Sequence, residues 1–253
     1  MTQLQGIRAK VARAREHLLQ LDEEIGTYLD LEPITLVRQI QPDGETSAIA
    51  VQVVTPPPVL LSLLVGEIVH QLRSAVDHIA YGLVLAAGNT PTRRTSFPVC
   101  ISQPNQLTVA GGVSSEAQIR VEEVQPYRQG DPTAHPLYVL NELWNADKHR
   151  NLHLTALMLT NTQVFLSPPG GSSLVGGQFQ RRAVGDNGVI GVFRFAHGEI
   201  DPGMEITGMG RSFLALGEPG PWPNDYPVAL LLEELFNYVS DEMLPRFETL
   251  LAG

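Results

Sequence analysis

Two short segments of the sequence hold most of the residues that could grip an anion or move a proton. The first is Gly66 to Tyr81, GEIVHQLRSAVDHIAY, and the second is Trp144 to His153, WNADKHRNLH. At about 100° per residue around a helix, His70, Arg73, Ser74, Asp77, His78 and Tyr81 fall within an arc of about 140°. Ile68, Leu72, Ala75, Val76 and Ile79 fill the opposite side. A merely solvated face carries Glu, Lys and Gln. This one offers two imidazoles, a guanidinium, a carboxylate, a hydroxyl and a phenol, groups that bind anions and exchange protons at neutral pH. In the second segment the apolar stripe Leu137, Leu140, Leu143 and Trp144 is continued by Asp147 and Asn151. A carboxylate on an apolar face requires a partner, because an unpaired buried charge is costly. If the two helices pack together, the partners in reach are Arg73, His70 or His78.

Arg73, His78, His70, Asp77 and Asp147 are therefore the candidate catalytic residues, with Ser74, Tyr81, Lys148, His149 and Arg150 as candidate substrate contacts. A structural reading stands beside the catalytic one, since buried Asp, His and Arg on adjacent helices also form networks that only fix packing. A third reading is a metal-dependent hydrolase using His70, Asp77, His78 and Asp147. His149 and His153, spaced i and i+4, would need a third ligand and an open position to hold a metal. No cofactor and no resident metal are expected. The sequence has no Gly-rich phosphate loop ending in Gly-Lys-Ser/Thr, no dinucleotide fingerprint, no Gly-x-Ser-x-Gly elbow and no His-Glu-x-x-His. Nucleotide hydrolysis and hydride transfer on the usual scaffolds are thereby set aside.

The elements that must position these residues are legible as periodicity. From Thr2 to Leu31 the apolar residues Leu4, Ile7, Val11, Leu18, Leu21 and Ile25 recur with helical spacing. Ile34 to Ile40 and Ala48 to Val54 flank Pro42, Asp43 and Gly44, which predicts a β-hairpin. Pro56 to Pro58 stop that strand and open a long helix to about Ala87, closed by Gly88 and Asn89, which carries the first segment. An irregular connector runs from Asn89 to Pro132 through Phe97 and Pro98, broken by an amphipathic stretch at Ser115 to Val124. A helix from Pro136 to about His153 carries the second segment. Thr155 to Leu166, Gln178 to Val184, Val189 to Phe195 and Arg211 to Leu216 read as strands, with a loop from Ser167 to Gly177 and a turn at Gly185 to Gly188 between them. The last helix, Pro227 to Leu251, contains Pro245, which predicts a kink. Helices and strands come in separate runs, so the class is α+β with a mainly antiparallel sheet. The expected layout is one domain over 1–253, with a helical core at 1–33, 56–90, 132–153 and 225–251 and a β-layer at 34–55 and 154–217.

Composition limits the partners. The 253 residues, 43% of them hydrophobic, suffice for a sizeable core without a disulfide or metal staple. Seventeen Lys and Arg against 27 Asp and Glu give a net charge of -10, which argues against general wrapping of nucleic acid or an anionic membrane but leaves room for a local basic pocket. Cys100 is the single cysteine, which excludes a disulfide framework and points to a reducing, cytoplasmic setting. The longest strongly apolar stretch, Val59 to Val65, is too short to span a bilayer, so no membrane association is expected.

HQLRSAVDHIAY and LWNADKHR, with FPV between them, resemble a group of bacterial and phage proteins that carry a His-x-Leu-Arg-Ser-Ala-x-Asp-His helix and a later Asp-Lys-His-Arg. At a greater distance, Arg73-Ser-Ala-Val-Asp-His78 is similar to the Arg-x4-6-His motif of the HEPN superfamily, helical proteins many of which are metal-independent ribonucleases in toxin-antitoxin and phage-defence systems. The resemblance implies a HEPN-like helical core and an endoribonuclease in phage or stress defence. Arg73 would hold the scissile phosphate, His78 would act as acid or base while the RNA 2′-hydroxyl attacks, and His70, Asp77 and Asp147 would orient them. The partners it implies are RNA, a second copy in a homodimer, and an antitoxin or other protein. Against that pattern, this chain inserts a hairpin and several strands, and some superfamily members are inactive binding modules.

Overall fold

The structure is a computed structural model that describes residues 2–42, 46–149, 152–159, 164–167, 174–179, 183–195, 205–208, 211–217 and 219–251. The fold is α+β, and the chain divides into two compact units. One comprises Met1–Glu23, Val59–His153 and Glu218–Gly253; the other comprises Glu24–Pro58 and Leu154–Gly217.

The first unit is helical: α1 (Gln3–Asp30, whose last turns belong to the second unit), α2 (Val59–Ala86), α3 (Ser115–Glu123), α4 (Pro136–His149), α5 (Val228–Asn237) and α6 (Leu244–Leu251). α2 is its axis. Ile68, Leu72, Ala75, Val76 and Ile79 are fully buried, as their spacing predicts, and α2 packs against α4, α5 and α6. The 28 residues of α2 are also long and apolar enough to cross a membrane, with a mean hydropathy of 1.4 over the relevant window. Reading only Val59 to Val65 understated this, because polar residues interrupt the run without ending the helix. Of that window 56% is buried inside the protein, the signature of a core helix.

Local chemistry sets the helix ends. Ser114 accepts from the Ala117 N–H at 3.2 Å to start α3, and His135 Nδ1 accepts from the Leu137 N–H at 3.1 Å to start α4. α4 is described to His149, and His153, expected in the same helix, is not helical, so His149 and His153 do not share a helical face. The expected kink at Pro245 takes another form. Residues Tyr238–Met243 widen into a π-helical turn, with the Leu244 N–H reaching Val239 O. Proline has no N–H and its ring crowds the carbonyl four residues back, and the wider turn accommodates both.

The connector is anchored rather than loose. Phe97 is 1% exposed and meets Phe247 edge to face at 5.8 Å. The buried Gln125 amide donates to Pro98 O and Val121 O and accepts from the Cys100 N–H.

The second unit contains β1 (Ile34–Ile40), β2 (Thr46–Val53), β3 (Leu154–Leu159), β4 (Val164–Ser167), β5 (Leu174–Phe179), β6 (Ala183–Val184), β7 (Val189–Phe195), β8 (Glu205–Gly208) and β9 (Arg211–Leu216). They form antiparallel sheets in the orders β1-β2-β7-β5, β6-β3-β9 and β4-β8. The hairpin pairs Ile34 with Val53, and Asp43 and Gly44 of its turn lie outside the described residues. The stretch expected as one strand, Thr155 to Leu166, is two strands in different sheets. Ser167 and Leu174 to Gly177, expected in a loop, belong to β4 and β5. Glycines at 176 and 177 hid β5, and the four residues of β8 are too few to display alternation.

Candidate functional site

The two chemistry-bearing segments do come together, because α2 and α4 pack. The close approach depends on Gly66, where a Cβ would sit 2.5 Å from Asp147 Oδ1. Glycine inside a helix costs roughly 0.5–1 kcal/mol relative to alanine, and here it seats a carboxylate against the α2 backbone. Within this contact the polar residues separate into two clusters.

The first cluster surrounds Arg73, which is only 4% exposed. Its Nη1 lies 2.8 Å from Asp77 Oδ1, one turn along the same helix, and its Nη2 donates to Phe97 O at 3.1 Å. Asp77 Oδ1 also accepts from the Phe97 N–H at 2.9 Å. The ion pair thus grips both polar groups of one connector residue. The Trp144 ring covers the guanidinium at 5.2 Å, and the Lys148 ammonium lies over the same ring. Nη1 faces Asp77 at ion-pair distance without hydrogen-bond alignment, and Nε is also without a hydrogen bond. Burial pulls the Arg73 guanidinium below its ordinary value, and Asp77 pulls it back. Desolvation and then the charge of Arg73 lower Lys148. Asp147 is thus not the partner of Arg73. Residues four apart share a helix face, so Asp77 reaches the guanidinium without help from α4.

The second cluster lines an open cleft of about 560 Å³. Arg13 and His17 enter it from α1, Glu67 and His70 from α2, and Asp147 from α4. His17 is 6% exposed and places Nδ1 3.3 Å from Glu67 Oε2. Among the described residues Asp147 has no hydrogen bond or ion pair. Burial lifts its carboxyl above the ordinary value, and the His70 imidazole draws it back. An imidazole beside a carboxylate in a cleft open to solvent can hold a polar ligand and exchange a proton with it.

The remaining candidates are dispersed. His78 is half-buried and turned toward α1, where desolvation and then Lys10 hold its imidazole below the ordinary value while Asp77 raises it. Ser74 is half-buried and Tyr81 is exposed on the same helix. His149 is exposed at the end of α4, and Arg150 and Asn151 lie outside the described residues. Among the described residues no three His, Cys, Asp or Glu side chains converge to hold a metal, and Asp77, one ligand of the hydrolase reading, is occupied by Arg73 and Phe97. Lys10, Arg13, His17 and Glu67 were missed by motif reasoning. Their signal was present, since Lys10, Arg13 and His17 recur at three and four along one shoulder of the apolar stripe of α1. No family model, no curated protein and no solved structure matches the chain, so the role of these clusters has to be read from their geometry.

Proposed function

We propose that the chain is a non-catalytic binding module of HEPN-like layout. In it Arg73, Asp77, Trp144 and the Phe97 backbone lock the helical unit, and the cleft lined by His17, Glu67, His70 and Asp147 faces the ligand or partner. The burial of Arg73 carries this reading. A guanidinium that grips a phosphate presents a free edge of N–H donors to it, whereas that of Arg73 is enclosed by Asp77, Phe97 and Trp144. The single cysteine supports a reducing, cytoplasmic setting.

A second reading, the metal-independent endoribonuclease of phage or stress defence, draws on His78. Its imidazole stands five residues after Arg73 and is held below its ordinary value by burial and by the Lys10 ammonium, which suits a general base next to a bound phosphate. The test is incubation of the protein with a mixed tRNA and mRNA pool, with and without EDTA, beside folded Arg73→Ala and His78→Ala variants. Intact RNA throughout is the expected result. Cleavage that survives EDTA and vanishes in both variants would install the ribonuclease, and cleavage abolished by EDTA would install a metal-dependent hydrolase. Sizing and pull-down of the wild type then separate a homodimer from an antitoxin-like or other protein partner.

A further inference from the structure

The first half of α1 is the most basic stretch of an acidic chain. Arg8, Lys10, Arg13 and Arg15 supply four of its 17 Lys and Arg. Two of them are turned away, Arg8 to Glu248 at 2.9 Å and Arg15 to Glu233 at 4.0 Å. The other two are not drawn to another helix. Lys10 has no ion pair among the described residues, and Arg13 pairs only with the exposed Glu16 on its own helix.

Both project toward α2. Gln3 lies against Gly82, Lys10 beside His78 and His17 against Glu67, so α1 runs antiparallel along α2 with a groove between them. The groove opens into a cavity at each end, one of about 560 Å³ beside Arg13 and one of about 450 Å³ beside Gln3 and Leu85. Along a helix the distance from Glu67 to Leu85 is about 27 Å. Between those ends α2 presents His70, Ser74 and His78 at every fourth position, each exposed or half-buried. Glu67 is turned to His17 and Asp147 comes from α4, so these two carboxylates sit at the Arg13 end, while Asp77, beside His78 at the Lys10 end, is paired with Arg73. The Lys10 ammonium and the Arg13 guanidinium, whose one ion-pair partner among the described residues is the exposed Glu16, face a row of imidazoles and a hydroxyl, a set of donors suited to an anionic ligand.

We propose that the α1–α2 groove binds a phosphate-bearing ligand, with Lys10 and Arg13 neutralising the phosphate and His70, Ser74 and His78 donating to its oxygens. This supplies the binding module with a ligand class and rests on that reading in one respect: with Arg73 locked inside, the phosphate falls to the cations of α1.

The experiment is a titration of the full chain with two probes, a labelled single-stranded oligouridine followed by anisotropy and ATP followed by calorimetry. The variants are Lys10→Gln/Arg13→Gln and, as a control for general electrostatics, Arg93→Gln/Arg94→Gln in the connector. Circular dichroism confirms that each is folded. The proposal expects saturable binding of at least one probe, a loss of about tenfold or more in the α1 variant, and little change in the connector variant. For the oligouridine, log affinity falls against log salt with a slope of about -1.4 if two phosphates are neutralised. Tighter binding of the oligouridine identifies an extended phosphodiester chain, and equal binding identifies a single phosphate; either result supports the site. The proposal is overturned if the wild type binds neither probe up to about 1 mM, or if both double variants lose affinity equally. Cleavage of the oligouridine during the titration would sink the binding-module reading while leaving the groove intact. Absence of both binding and cleavage would remove the groove alone.

Discussion

Arg73 and Asp147 occupy opposite situations, and the difference can be measured. Arg73 is a buried cation with a carboxylate, a carbonyl and an indole around it. Its removal leaves Asp77 without its cation and Phe97 O without its donor. Breaking such a pair costs about 3 kcal/mol, so Arg73→Ala should lower the melting temperature by roughly 6–12 °C for a chain of this size, read by circular dichroism. Asp147 is a partly desolvated carboxylate drawn back only in part by His70, and its folded pKa is raised. A raised carboxyl contributes stability at acid pH that is lost as pH rises through the folded value. Asp147→Asn should therefore melt higher than wild type at pH 7, with the gain vanishing as pH falls toward the ordinary aspartate value, in melts run across that range. The residue types and their grouping were legible in the sequence. The pairing was not, because a helical projection gives the direction of Arg73 without revealing that Phe97 and Trp144 close over it.

Helices α1, α2 and α3, the hairpin, β7 and β9 follow the periodicity of their residues closely, since each is long or regular enough to repeat its pattern. The elements that escaped are those whose cause lies outside their own residues. β8 is defined by pairing with β4, and the π-turn at Tyr238–Met243 by a proline that follows it. The start of α4 at Pro136 was legible but its cap was not, because a histidine takes the place of the usual Ser, Asp or Asn. His135 must keep Nδ1 unprotonated to accept from Leu137, and its ring packs edge to face on Tyr238 at 5.2 Å. Burial depresses its pKa from 6.5. A depressed histidine contributes stability above its unfolded value that is lost as pH falls through the folded one, and His78 acts in the same direction. The melting temperature should thus fall as the solution is taken below pH 6.5. His135→Asn retains a capping acceptor without the titration, and should cost about 1 kcal/mol at pH 7 through the lost ring contact while flattening the decline toward pH 5.

Across the whole chain, segregation of helices from strands gave the α+β class directly, and the partition into a helical and a β-rich unit follows the same division. Net charge was less informative, because a total of -10 conceals a basic half of α1. Hydropathy alone likewise leaves α2 ambiguous between a core helix and a span, and only its burial decides. The full chain expressed without detergent should remain in the supernatant after ultracentrifugation. Recovery in the membrane pellet would show that the apolar face of α2 is not covered by protein as described.

The grip of Arg73 and Asp77 on Phe97 has a consequence for how such a chain drifts over generations. The pair holds the peptide N–H and C=O of residue 97 and ignores the side chain there, so the hydrogen bonds exclude only proline at that position; its seat against Phe247 sets the rest. The two charges, by contrast, depend on each other. Losing either strands the other, whereas exchanging both for neutral groups of similar shape forfeits the clasp without leaving an orphaned charge. Substitutions at 73 and 77 should accordingly arrive together, and in a double-mutant cycle the double variant should be destabilised by clearly less than the sum of the two single variants.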